Sequence, residues 1–161
     1  MLYSIAKKFK VKEAIIRKSP AHLTLKYSFI TNNKNINELE RVIEKFCMKQ
    51  KKTKLKIEGF GFFGTDVIFL KPIVSDDMRK VHLKFVNELK KLSWMSWKEH
   101  DGKDMHFHST LAMSDFDKKK FEKIMQYLSR FKPKYNLLFD NISIMKMEKG
   151  IWKVHKTFGI K

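Results

Sequence analysis

The chain has 161 residues, enough for one well-buried domain or for two small lobes that share a core, but too few for several independent domains. Its hydrophobic content of 43%, with 14 Phe, excludes a disordered chain. The formal net charge of +18 predicts a surface that attracts polyanions, and because nearly all of the excess is Lys, the attraction should be diffuse and salt-sensitive. A Lys-rich proteome, which places Lys on every solvated face, is a competing explanation of that charge.

The amino-terminal stretch MLYSIAKKFKVK lacks the continuous apolar run and the small-residue cleavage site of a signal peptide, and no window approaches the length of a membrane span. We therefore expect a soluble, cytoplasmic protein with no membrane partner. The single cysteine, Cys47, falls on the apolar stripe of a predicted helix, which predicts a buried thiol.

The first half of the chain predicts the order strand, helix, strand, strand. HLTLKYSFI predicts a strand, and INELERVIEKFCMK an amphipathic helix with a capping signature at Asn35 and Glu38. KLKIEGFGFF and DVIFLKPIV then predict a hairpin around residues 64–66. A further helical pattern, DDMRKVHLKFVNELKKL, connects this half to the next.

The second half repeats the same order. HFHSTLAM predicts a strand, Ser114 or Asp115 a helix cap, and KKFEKIMQYLSRF a helix with Phe131 on its apolar face. NISIMKM and IWKVHKTFGI predict a second hairpin around residues 148–150. Two copies of one unit predict a single bilobal α+β domain over 1–161, with two antiparallel sheets facing a central cleft and helices outside. The expected lobes are approximately 1–75 and 93–161, joined by a helix over 76–92.

A His-x-Thr-Leu tetrapeptide occurs in both halves, as HLTL at residues 22–25 and HSTL at 108–111. Residues two apart on a strand share a face, so His22 and Thr24 point one way, and the same holds for His108 and Thr110. A pseudo-twofold relation between the halves would bring two imidazoles and two hydroxyls together in the cleft.

That set of groups suits the cleavage of a phosphodiester that has an internal leaving group. Imidazole titrates near neutral pH, so one ring can accept a proton from attacking water while the other donates a proton to the departing ribose oxygen. The threonine hydroxyls would hydrogen-bond the non-bridging phosphate oxygens. The sequence leaves the two roles interchangeable, and we take His22 as the acid and His108 as the base.

With these paired motifs, the helices and the GFGFF strand, most of the chain resembles the two-histidine (2H) phosphoesterase superfamily, which contains 2′,5′ RNA ligases and RNA 2′,3′-cyclic phosphodiesterases. The resemblance implies a bilobal fold, catalysis without metal or cofactor, and catalytic roles for His22, Thr24, His108 and Thr110. It also implies an RNA or oligonucleotide substrate, and a 2′-phosphate product where a cyclic phosphate is hydrolysed.

Five further residues are candidates for substrate binding. His106 should share the face of His108, two of the others are aromatic and could stack on bases, and two are lysines on strands near the site that could neutralise phosphate; they are Lys26, His106, Phe62, Trp152 and Lys153. For each, simple exposure or packing is the alternative. A metal site built on His106 and His108 lacks a third ligand in the sequence, so none is expected.

The function predicted from the sequence is a metal-independent phosphodiesterase acting on RNA or oligonucleotide 2′,3′-cyclic phosphate ends or 2′,5′ linkages, and we expect it to be a monomer. Two alternatives stay open. One is hydrolysis of small cyclic oligonucleotide signals, which should depend less on salt than an RNA enzyme does. The other is a non-catalytic RNA-binding module on the same fold, which would not need two paired proton-transfer groups.

Overall fold

A computed structural model describes residues 8–9, 20–113 and 116–161. Within these residues the chain is an α+β fold with three long helices and two antiparallel sheets, as the sequence predicts. In chain order the elements are α1 (Asn33–Met48), β1 (Thr53–Phe63), β2 (Val67–Val74), α2 (Asp76–Leu89), β3 (Ser109–Met113), α3 (Lys118–Leu128), β4 (Lys134–Phe139), β5 (Asn141–Glu148) and β6 (Ile151–Gly159).

Helix α1 begins two to three residues before the predicted capping signature. Its cap is Asn32, whose side-chain oxygen accepts a hydrogen bond from the Asn35 backbone N–H at 3.0 Å. The predicted pairing of Asn35 with Glu38 is therefore wrong, and the Glu38 carboxylate instead accepts a hydrogen bond from the Trp94 indole at 2.8 Å. Cys47 is buried, as predicted, and burial raises the pKa of its thiol to about 11.

Helix α3 also has a different cap from the predicted one. Asp117 accepts a hydrogen bond from the Lys120 backbone N–H at 2.8 Å and caps the helix, so the prediction of Ser114 or Asp115 is wrong. Those two residues lie outside the described part of the chain. The helix ends at Leu128, so Phe131 follows it rather than lying on its apolar face.

The two sheets do not follow the two halves of the sequence. The strand order is β3-β2-β1-β4 in the larger sheet, and β5 pairs with β6 in the smaller one. Both hairpins form as predicted, at β1–β2 and β5–β6. However, β2 also pairs with β3, and β1 with β4, so one sheet takes strands from both sides of α2. The larger sheet thus combines strands from both predicted lobes, 1–75 and 93–161.

The predicted first strand, HLTLKYSFI at residues 22–30, is not assigned to either sheet. Polar side chains meet part of its backbone instead. The Leu25 carbonyl accepts a hydrogen bond from His82, and the Tyr27 N–H donates to Asp101. The strand predicted from HFHSTLAM is shorter than that stretch and begins at Ser109.

Two apolar clusters hold the fold together. The larger joins α1, α2, β5 and β6, and Leu23 and Leu25 of the first motif pack against it. The smaller lies between α3 and the larger sheet, around Ile68, Ala112 and Ile124. Among the described residues no helix is long and apolar enough to cross a bilayer.

Candidate active site

The first motif presents an exposed imidazole at the end of an irregular segment. The His22 Nδ1 lies 2.9 Å from the backbone oxygen of Pro20, two residues earlier. Leu23 and Leu25, the alternate residues, pack against the larger apolar cluster. The segment is therefore anchored on one side while His22 faces solvent.

The second motif repeats this local arrangement. The His108 Nδ1 lies 2.7 Å from the backbone oxygen of His106, again two residues earlier. The ring is half-buried. It packs edge-on against Phe63 at 5.0 Å and in a tilted arrangement against Phe69 at 5.5 Å, both between ring centroids.

The matched hydrogen bonds fix which nitrogen of each ring is free. A carbonyl oxygen can only accept, so Nδ1 carries the hydrogen in both His22 and His108. In each neutral ring, Nε2 then holds a free lone pair, and in each protonated ring Nε2 carries a transferable proton. Both histidines thus expose the same atom for proton transfer, and a backbone carbonyl orients each ring.

A close approach between Gly61 of β1 and the Phe69 ring of β2 lies next to His108. Phe69 pairs with Gly61 on one side and with Thr110 on the other, so these three residues share one face of the sheet. The Phe69 ring lies directly over Gly61, where any Cβ would overlap the ring atoms. Because Phe69 also contacts His108, a side chain at Gly61 would displace the ring that packs against the second imidazole.

A buried histidine of α2 joins the two motifs. The His82 Nε2 donates to the Leu25 carbonyl at 2.8 Å, and its ring packs edge-on against Phe107 at 4.9 Å between centroids. Leu25 ends the first motif and Phe107 immediately precedes His108. Burial lowers the pKa of His82, outweighing the opposing effect of its bond to Leu25. A neutral His82 therefore contacts the backbone of the first motif and the Phe107 side chain next to the second.

A buried ion pair supports the first motif from the opposite direction. Lys26 lies 2.8 Å from Asp101, and the two side chains are 7% and 1% exposed. Asp101 also accepts hydrogen bonds from the backbone N–H groups of Tyr27 and Lys98. Burial alone would raise the pKa of Asp101, but these hydrogen bonds outweigh it and the pKa is lowered.

A groove of about 660 Å³ opens beside His108. Phe63 and Phe69, which contact the His108 ring, form part of its wall, and so does His106, whose carbonyl orients that ring. Residues from the β1–β2 hairpin, the first turn of α2 and the segment 103–107 complete the lining.

Comparison with protein families matches residues 6–151 to the 2′-5′ RNA ligase superfamily. The chain belongs to that superfamily. The two-histidine phosphoesterase family predicted from the motifs is therefore confirmed. Among proteins of curated function, none matches this chain.

Other proteins with solved structures have a similar fold. TT0787 of Thermus thermophilus is similar with a TM-score of 0.62 and 14% identity, covering 99% of this chain and 91% of its own. A structure described as a phosphoesterase is similar with a TM-score of 0.64 and 11% identity, covering 98% of this chain and 91% of its own.

The five residues predicted to bind substrate do not lie together in the structure. His106 and Phe62 line the groove, and Phe62 also packs edge-on against Phe121 of α3 at 5.4 Å. The Lys26 ammonium is engaged by Asp101. On β6, Lys153 pairs with Glu148 at 3.0 Å and Trp152 lies opposite Met147. The structure thus brings His106 to the second motif. Phe62 lies on the opposite face of β1 from Phe63, the residue that contacts His108, and the contacts of the other three lie elsewhere.

Sequence reasoning missed Gly61, His82 and Asp101. The sequence did carry a signal for His82, since a polar residue on an apolar helical stripe needs a hydrogen-bond partner when it is buried. It carried none for Gly61, whose importance lies in a contact across the sheet. In the described ranges, no group of three or more His, Cys, Asp or Glu side chains is arranged to hold a metal ion.

Proposed function

We propose that this protein is a metal-independent phosphodiesterase that acts on RNA or oligonucleotide 2′,3′-cyclic phosphate ends or 2′,5′ linkages. One observation carries the proposal. The imidazoles of the two motifs have the same Nδ1 bond to a carbonyl two residues earlier, which leaves Nε2 of both rings for proton transfer. A purely structural pair of histidines has no need of this matched orientation.

In the proposed reaction, water attacks the phosphorus of the cyclic phosphate. Nε2 of His108 takes a proton from the water as the new phosphorus–oxygen bond forms. The bond from phosphorus to the 3′ oxygen breaks, and Nε2 of His22 gives that oxygen a proton, leaving a 2′-phosphate. Thr24 and Thr110 donate hydrogen bonds to the non-bridging oxygens, where negative charge increases in the transition state.

Charge supports a polyanionic substrate in the same proposal. The net charge of +18 favours encounter with RNA over a wide surface. Family membership favours RNA over other phosphodiesters, because the superfamily is described by its 2′-5′ RNA ligases.

Hydrolysis of a short RNA ending in a 2′,3′-cyclic phosphate, with EDTA present, tests the proposal. His22→Ala and His108→Ala should each lower kcat by a factor on the order of 10²–10⁴, the usual contribution of a general acid or base. His100→Ala, which changes an exposed loop histidine, serves as the matched control and should keep wild-type turnover. The product should carry a 2′-phosphate.

Other results would point to the alternatives. Loss of turnover in EDTA, or near wild-type turnover of His22→Ala, would contradict the two-histidine mechanism. No turnover by the wild type, together with tight and salt-dependent RNA binding, would favour a binding module. Turnover of small cyclic oligonucleotides but not of RNA ends would identify the signal hydrolase.

A further inference from the structure

None of the four proposed catalytic residues lines the groove, but a residue of its wall contacts His108. Phe63 lies 5.0 Å from the His108 ring and also lines the groove. One side chain therefore separates the groove from the His108 ring, and a substrate held at that ring could extend into the groove.

The charge of the groove suits an anion. Lys71 of β2, Arg79 of α2 and Lys103 of the following loop line it, and one carboxylate, that of Asp104, opposes them. Among the described residues, the recorded ion pairs engage none of these three cations. They converge from three separate elements, which distinguishes them from lysines that merely follow one another on a solvated face.

The groove also offers exposed aromatic surface. Phe63, in the wall of the groove, is 38% exposed, although it is a large apolar side chain on a strand. Single-stranded nucleic acids are bound through this combination of aromatic faces, on which bases stack, and cations, which meet the backbone phosphates.

We propose that the groove binds the nucleotide that precedes the terminal one, with its base against Phe63 and its phosphate among Lys71, Arg79 and Lys103. The inference rests on the proposed function. The terminal nucleoside carries the cyclic phosphate on its own ribose, so the rest of the RNA chain, which a cyclic mononucleotide lacks, continues from its 5′ side. The enzyme should then distinguish an oligonucleotide end from a cyclic mononucleotide.

The test compares a 2′,3′-cyclic mononucleotide with the dinucleotide and trinucleotide that have the same terminal base. One added nucleotide should raise kcat/KM about tenfold, a typical gain for one stacked base, and a second added nucleotide should give much less. Arg79→Glu should reduce the dinucleotide advantage to about twofold. It should also lower the dependence of log affinity on log salt by roughly 0.7, the slope of one phosphate contact in a single strand.

Lys84→Glu is the matched control, because Lys84 is an exposed cation on the same helix outside the groove and this substitution also replaces a cation with a carboxylate. The dinucleotide advantage should survive in this variant. Equal loss in both variants would show diffuse attraction and overturn the inference, as would a wild type that does not distinguish dinucleotide from mononucleotide.

Binding separates this inference from the proposed function. Calorimetry with a dinucleotide and a mononucleotide, each ending in a 2′-phosphate, measures binding affinity without turnover. The wild type could hydrolyse neither cyclic substrate and still bind the dinucleotide about tenfold more tightly, with Arg79→Glu removing that difference. In that case the proposed function is wrong, but the proposed binding of a nucleotide in the groove is supported. Equal affinity for the two ligands overturns the inference about the groove, whatever the hydrolysis result.

Discussion

The two His-x-Thr motifs have the same local backbone-to-ring hydrogen bond but rest on different supports. The second motif runs directly into β3, and its imidazole lies against Phe63 and Phe69 of the neighbouring strands. The first motif belongs to neither sheet and is supported through side chains, by His82 at Leu25 and by Asp101 at Lys26 and Tyr27.

The difference shows that a repeated tetrapeptide can place equivalent catalytic groups without equivalent secondary structure. Backbone ladder bonds support the second motif cooperatively, whereas a few buried polar contacts support the first. The first motif should therefore be more sensitive to single substitutions distant from its own residues.

Asp101→Ala should have the largest effect on stability. It removes the partner of a buried Lys26 ammonium and three hydrogen bonds, and breaking such a pair costs about 3–5 kcal/mol. Urea unfolding measures the loss, and hydrogen exchange should accelerate more at residues 23–27 than at 109–113. Glu99→Ala, an exposed neighbour, should change stability by less than about 0.5 kcal/mol. Equal acceleration in both segments would contradict the separate supports.

His82→Phe should come next, because it leaves the Leu25 carbonyl without its donor at a cost of about 1–3 kcal/mol. It should also change the pH dependence of stability. The lowered pKa of His82 means that the unfolded chain binds a proton first as pH falls below about 6.5, so wild-type stability decreases there.

In His82→Phe that decrease is absent, so the stability difference between wild type and variant should be largest above about pH 6.5 and shrink as pH falls towards the folded pKa. Urea unfolding at a series of pH values measures this difference. His100→Phe, the control on the surface loop, should keep the wild-type profile. A difference that is constant with pH would rule out the linkage.

Gly61→Ala should cost about as much stability as His82→Phe, but it should act on the second motif. The new Cβ displaces the Phe69 ring, and overpacking of this kind costs about 1–3 kcal/mol. Because Phe69 contacts His108, kcat should fall in the folded variant, while Gly159→Ala, a strand glycine with open space around it, should keep both stability and kcat. A fully active Gly61→Ala would show that the ring does not position His108.

Helices and hairpins could be predicted from the sequence because each rests on local information. Apolar spacing identified α1, α2 and α3, and the turn residues identified both hairpins. Strand partners could not be predicted, because pairing of β1 with β4 and β2 with β3 depends on contacts distant in sequence. The two caps were misplaced for a related reason: several Asn, Asp and Ser residues near each helix start could accept the same bond.

For the candidate site, the sequence identified both motifs, with their two imidazoles and two hydroxyls, but not how the imidazole rings are oriented. It could not predict the Nδ1 bonds, which depend on the backbone path before each histidine. Nor could it predict that Asp101 engages Lys26, since these residues lie 75 positions apart.

The central claim is that His22 and His108 act as one unit, and the kcat of His22→Ala, His108→Ala and the double variant tests it most directly. If both imidazoles act in the same step, each single substitution should remove most of the activity and the double variant should lose little more than the worse single variant. A single variant that keeps near wild-type kcat, or losses that multiply fully in the double variant, would contradict the account.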